Sequence, residues 1–197
     1  MVTAMLETYP TDIRTDARPA GLAGTHPAVI TDAEAIDRAW AAAERVTDPE
    51  MPMLTLLDLG VLRDVTIENG HVVTTITPTY SGCPAMATMR DDLQRELLEA
   101  GFPNADVRVS LRPAWTSDWI TERGRQALKD AGISPPGSAP VRTGPVALTL
   151  MPTRRAVTCV LCGSDNVRLS SEFGATACKA MYQCNDCLEP FDHVKEI

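Results

Sequence analysis

Cys159-Val160-Leu161-Cys162-Gly163 and, after residues 163–183, Cys184-Asn185-Asp186-Cys187 decide the architecture of the C-terminal part of this 197-residue chain. Two residues between cysteines let both thiolates of a pair turn onto one ion, and two such knuckles complete a tetrahedral shell of four. Gly163 suits a turn that needs positive φ. The stretch between the pairs, slightly longer than the usual ~15–20 residues, leaves room for one hairpin. The pattern predicts a four-cysteine zinc ribbon over 157–197, with Zn(2+) on Cys159, Cys162, Cys184 and Cys187. Four thiolates also accept iron or a cluster. Such ribbons are more often structural clips than reaction centres, so the pattern specifies a metal site and not an activity.

Upstream, the composition changes. Pro135, Pro136, Gly137, Pro140, Gly144, Pro145 and Pro152 make residues 133–156 a semi-extended connector. Its apolar piece, Val146 to Met151, could add an edge strand or dock the parts on either side. Residues 31–132 read as a small α/β domain in the order α-β-β-α-β-α, which makes the whole chain α+β with a ribbon appended.

Within that domain, Thr31 and Glu34 match the Thr-x-x-Glu capping box. Ile36, Ala39, Trp40 and Ala43 then share one stripe of a helix over 32–46. Thr47-Asp48-Pro49 stops it, because the residue before proline is pushed out of the helical region. Residues 61–67 and 72–77 are β-like around Asn69-Gly70, a strong hairpin turn. Pro84 suits a first helical position, which places Cys83 at the N-cap of a helix running to about Ala100. Met86, Met89, Leu93 and Leu97 form its inner stripe and Gly101 closes it. Val107, Val109 and Leu111 predict a third strand with one wet face. Trp119, Arg123 and Leu128 fall in a last helix ending at Gly132. Residues 1–30, with prolines at 10, 19 and 27 and no period, read as a mobile tail.

Composition narrows the function. Net charge is −8 and the pI about 4.9, whereas nucleic-acid binders carry a basic face for phosphates. A protein partner is expected instead. Six cysteines in a chain without an export signal read as thiols or metal ligands, not as a disulfide framework. With no apolar run of the roughly 18 residues that span a bilayer, the cytoplasm is the expected location.

Two short motifs could carry chemistry. A thiol at a helix N-terminus faces unpaired N–H groups and the positive end of the dipole, which favour thiolate. Cys83, between Gly82 and Pro84 after a polar loop, fits that setting, although a small buried cap fits it too. Asp48-Pro49-Glu50-Met51-Pro52 is a rigid acidic turn, by itself most simply a helix stop.

Taken together these segments carry a resemblance. Asp48-Pro49-Glu50, then Asp58-Leu59-Gly60 with Val61 to Val65, then Thr79-Tyr80-Ser81-Gly82-Cys83-Pro84, are similar to the α/β family of iron–sulfur and metal–sulfur cluster assembly factors. With the connector, Trp115, Asp118, Trp119 and the four-cysteine end, residues 32–197 resemble the PaaD family in particular, accessory proteins of aerobic phenylacetate degradation. The resemblance implies a maturation factor and no enzyme. Such a factor helps deliver metal or a transient iron–sulfur cluster to phenylacetyl-CoA epoxidase components, above all the iron–sulfur flavoprotein reductase. It further implies Cys83 as the transfer ligand, with Asp48 and Glu50 shaping its surroundings. The alternative is a structural adaptor holding epoxidase components together through the ribbon. Whether Cys83 acts alone or across a homodimer is left open by the sequence.

The remaining candidates are weaker. Cys178, between the knuckles, reads as a core thiol of the ribbon, or as a substitute ligand if the site holds iron–sulfur. His193 is expected at the surface and His71 is assigned nothing. Trp115 and Trp119, and Met51, Met53, Met86 and Met89, read as core before docking face or soft ligand. No Gly-x-Gly-x-x-Gly or P-loop suggests a nucleotide cofactor.

Overall fold

The computed structural model describes residues 31–80, 82–139 and 156–197. The tail over 1–30 and the apolar piece from Val146 to Met151 lie outside them. Helix α1, Asp32–Ala43, opens with the capping box complete: the Thr31 side chain accepts the Glu34 N–H while Glu34 reaches back to the Thr31 N–H. Ala39, Ala42 and Ala43 are buried along its inner face. The helix ends earlier than the stripe suggests, in a turn over residues 44 and 45.

Strands β1 (Leu62–Glu68) and β2 (His71–Ile76) form the expected antiparallel hairpin. Asn69 and Gly70 both take positive φ, 51° and 79°, as a primed two-residue turn requires. Helix α2, Met86–Glu99, crosses over to β3, Asp106–Val109, which lies parallel to β2. The sheet order is β1-β2-β3, and α1 packs on α2 and β1. Leu54, Leu56, Leu59, Val61, Ile76, Leu93 and Leu97 fill the core.

Three local expectations change. Val107 is buried but Val109 and Leu111 are exposed, because β3 is an edge strand that ends at Val109 and Leu111 lies past it. Trp119 belongs to a 3₁₀ turn, Ser117–Trp119, and not to the last helix. Thr121 caps that helix afresh: α3 runs Glu122–Asp130, with the Thr121 hydroxyl accepting the Gly124 N–H. Met53 is exposed where a core position was expected, whereas Met51 and Met89 are buried.

The Asp58-Leu59-Gly60 segment ties the domain together. Asp58 is buried, and its carboxylate accepts from the hydroxyls of Thr55 and Thr121, both at 2.9 Å, and from Arg123 at 2.6 Å. Trp115 is buried and donates its Nε1–H to the Leu59 carbonyl at 2.9 Å. Arg63 lies over the Trp119 ring at 3.6 Å. Both tryptophans therefore serve packing.

The ribbon forms a second sheet from β5 (Val167–Ser171), β6 (Lys179–Cys184) and β7 (Pro190–Val194). Its fourth strand comes from the predicted connector: β4, Ile133–Ser134, pairs parallel with β7. The sheet order is β4-β7-β6-β5. Val194 is buried with the α/β core, and the Ser117 N–H donates to the Ile197 carbonyl at 3.1 Å. The ribbon is thus joined to the α/β domain by both strand pairing and core packing. No helix among the described residues is long and apolar enough to cross a membrane.

Candidate metal centre and thiol site

The two knuckles converge. Cys159, Cys162, Cys184 and Cys187 place their sulfur atoms within 4.8 Å of one another. The pairs Cys159–Cys187 and Cys162–Cys184 stand 3.7 and 3.6 Å apart. Metal–sulfur bonds of about 2.3 Å in a tetrahedron give sulfur–sulfur edges of about 3.8 Å, so the four thiols fit a tetrathiolate ion. Backbone geometry builds each knuckle. In the first, the Gly163 N–H donates to the Cys159 carbonyl at 2.8 Å, with Gly163 at φ +77°. In the second, the Cys187 N–H points at the Cys184 sulfur at 3.5 Å. That N–H, then the N–H of Asp186, pulls the Cys184 thiol down to about 7. Leu188 makes this turn at φ +65° where the first knuckle uses glycine.

His193 is not at the surface. It is 1% exposed, with Nδ1 3.1 Å from Ser134 Oγ and Nε2 3.2 Å from Glu196 Oε1. The pairing of β4 with β7 encloses it, and no local pattern signals that pairing.

A second group of side chains collects around Cys83. Asp48 is buried, and its Oδ1 accepts the N–H groups of Glu50 and Met51, each at 2.8 Å. The Asp48 N–H donates to the Leu54 carbonyl at 2.9 Å, so the acidic turn is closed on itself and pinned to the core. Burial raises the Asp48 carboxyl above its usual range, against those two N–H donors and nearby Lys179.

Cys83 is not the N-cap. Helix α2 starts at Met86, with Ala85 at the cap position and no side-chain cap bond. Tight turns carry the chain there: the Cys83 N–H donates to the Tyr80 carbonyl at 3.2 Å, and the Met86 N–H to the Cys83 carbonyl at 3.4 Å. The thiol is half-buried. Burial pushes it above its ordinary value; the Ala85 N–H opposes this, and Glu50, Asp48 and Cys178 reinforce it. The resting sulfur is therefore held as thiol, contrary to the helix-dipole expectation.

Sequence reading missed two members of this group, both from the ribbon. Cys178 is buried and shares a hydrogen bond with the Thr176 hydroxyl at 3.0 Å. Burial raises its thiol too, against Thr176, with Glu50 and Asp48 raising it further and Lys179 lowering it. Lys179, also buried, sits 3.2 Å from Asp192. The phenol of Tyr80 is raised by burial and by Cys83, Cys178 and Glu50. No local signal could have placed Cys178 beside Cys83, because docking of the second sheet on the first brings it there.

Comparison with known proteins places both parts. Residues 143–195 match the model of the PaaD zinc beta ribbon domain, and residues 36–111 that of the iron-sulfur cluster assembly protein family. An Escherichia coli (strain K12) protein, named as a component of 1,2-phenylacetyl-CoA epoxidase, is 42% identical over 156 residues, covering 79% of this chain and 90% of that protein. The Fe-S protein maturation auxiliary factor YitW of Bacillus subtilis (strain 168) is 30% identical over 89 residues, 44% of this chain and 86% of that one. A crystal structure of a domain of unknown function from Bacillus anthracis superposes with a TM-score of 0.46 at 28% identity, covering 49% of this chain and 93% of that one.

Proposed function

The chain belongs to the PaaD family, and from that premise we propose that it is a maturation factor of aerobic phenylacetate degradation, acting on metal or iron–sulfur cluster assembly in the phenylacetyl-CoA epoxidase. Its direct client is the iron–sulfur flavoprotein reductase of that system. The chain is an accessory protein and not an enzyme. Cys83 is the transfer ligand, and Asp48 and Glu50 set its surroundings. The carrying observation is the placement of one half-buried thiol beside a buried, internally hydrogen-bonded acidic turn, within the segment matched by the cluster-assembly model.

The chemistry suits a carrier. A thiol kept protonated beside carboxylates is a poor nucleophile and resists oxidation while empty. A thiophilic cation displaces its proton on arrival, and the same carboxylates then favour the bound charge. The four ribbon cysteines hold zinc in a closed shell with no open position, so zinc there supports the fold. Work in a cytoplasmic setting is consistent with the use of free thiols.

Producing the reductase with and without this chain tests the reading. Reductase made with the chain should hold iron and acid-labile sulfide in proportion to its flavin. Full loading in the chain's absence would remove the maturation role.

A further inference from the structure

Cys178 belongs to neither cluster that should have claimed it. The apolar core of the ribbon consists of Val157, Cys159, Ala180, Tyr182, Cys184 and Phe191, and the tetrathiolate group is complete without it. Its backbone is fixed, since its carbonyl accepts the Lys195 N–H at 3.0 Å. Its charged and thiol neighbours are instead Glu50, Lys179, Asp48 and Cys83. Cys83 answers to the same Glu50 and Asp48 from the other side of the seam between the two sheets.

We propose that Cys83 and Cys178 form one two-thiolate site for a thiophilic divalent cation of the ferrous class, with the Glu50 carboxylate as a nearby oxygen donor. The inference rests on the carrier role of Cys83 and adds a second ligand from the ribbon. Loading is an exchange without redox chemistry: M²⁺ and two Cys–SH give M(S–Cys)₂ and two protons, which pass to solvent. Two thiolates and two carboxylates facing one cation form a strongly attractive site, while the same four groups disfavour thiolate when it is empty. Lys179, held by Asp192, tempers the negative charge. Two thiolates also hold a cation less tightly than the ribbon's four, which suits a ligand set that must release its cargo. The ribbon thereby acquires a direct role in transfer, because half of the thiol pair is carried on its sheet.

Phenylarsine oxide tests the pairing without any metal. It bridges two adjacent thiols, forming two As–S bonds and releasing water, and is not retained by a single thiol. Full-length protein with its ribbon cysteines loaded with zinc should take up one arsenical, read by intact mass. Cys83→Ser and Cys178→Ser should each take up none, with circular dichroism unchanged. Anaerobic titration with Co²⁺ beyond the zinc should give thiolate-to-cobalt absorption in the parent and at least tenfold weaker binding in either variant. No arsenical on the parent, or full uptake by Cys178→Ser, would overturn the inference. Reductase loading separates the two claims: if it depends on Cys83 but not on Cys178, the maturation role stands and the paired site falls.

Discussion

Ser134 Oγ lies 3.1 Å from Nδ1 of His193, a contact between the strand leaving the α/β domain and the strand closing the ribbon. The other ring nitrogen meets Glu196 at 3.2 Å, and the ring stands edge-on to Tyr182 with centroids 5.5 Å apart. Replacing His193 by alanine deprives Ser134 and Glu196 of a partner and opens a void. The metal-loaded variant should lose about 1–3 kcal/mol in denaturant unfolding. A loss within about 0.5 kcal/mol of zero, the range of an ordinary surface change, would show that this contact does not hold the ribbon down.

Glu196 supplies a pH dependence of known sign. Burial would raise its carboxyl, but His193 and the Gly137 N–H win and hold it down to about 2, against 4.5 for a free glutamate. A depressed carboxylate stabilises the fold fully above its unfolded pKa and loses that contribution as pH falls through the folded one. Stability of the parent relative to Glu196→Gln should therefore be greatest above pH 4.5 and shrink between there and about 2. Parallel pH profiles for the two proteins would contradict this.

Gly60 has no room for a side chain. It sits at φ +67°, and a Cβ there would lie 2.5 Å from Trp119 Cβ and 2.7 Å from the Trp119 carbonyl oxygen. Backbone strain and overpacking together should cost Gly60→Ala roughly 2–5 kcal/mol, read in thermal or denaturant melts. Gly70→Ala meets nothing within 4 Å and should cost less, reporting φ strain alone.

Metal removal should act on one sheet first. Structural zinc contributes on the order of 10 kcal/mol to folding, so chelation should strip hydrogen-exchange protection from β5 and β6. The β1–β2 hairpin, built on its own core, should keep its protection. β7 is the informative strand, since it pairs with both β6 and β4. Simultaneous loss across β1, β2 and β6 would mean that the chain unfolds as one unit.

Local chemistry was legible in the sequence; long-range docking was not. Thr31 with Glu34, Asn69 with Gly70, and the two knuckles each form within a few residues of chain, so their spacing alone predicts them. The resemblance carried by the Asp48, Asp58 and Cys83 segments identified the family correctly. Cys83 failed as an N-cap because two further residues, Pro84 and Ala85, enter a turn before the helix begins. His193 and Cys178 were misread for a shared reason. Pairing of Ile133–Ser134 with β7 buries the first, and the same docked arrangement turns the second toward Glu50 and Cys83. A two-residue strand inside a proline-rich stretch leaves no period to detect.

Transfer of cargo from Cys83 to the reductase is the step on which the maturation role turns. The most direct measurement is iron and acid-labile sulfide per flavin in reductase produced alongside either the parent chain or its Cys83→Ser variant. A flavin-loaded reductase poor in iron and sulfide is expected with the variant, although the variant folds and keeps its zinc. A fully loaded reductase from the Cys83→Ser strain would contradict the transfer role of Cys83.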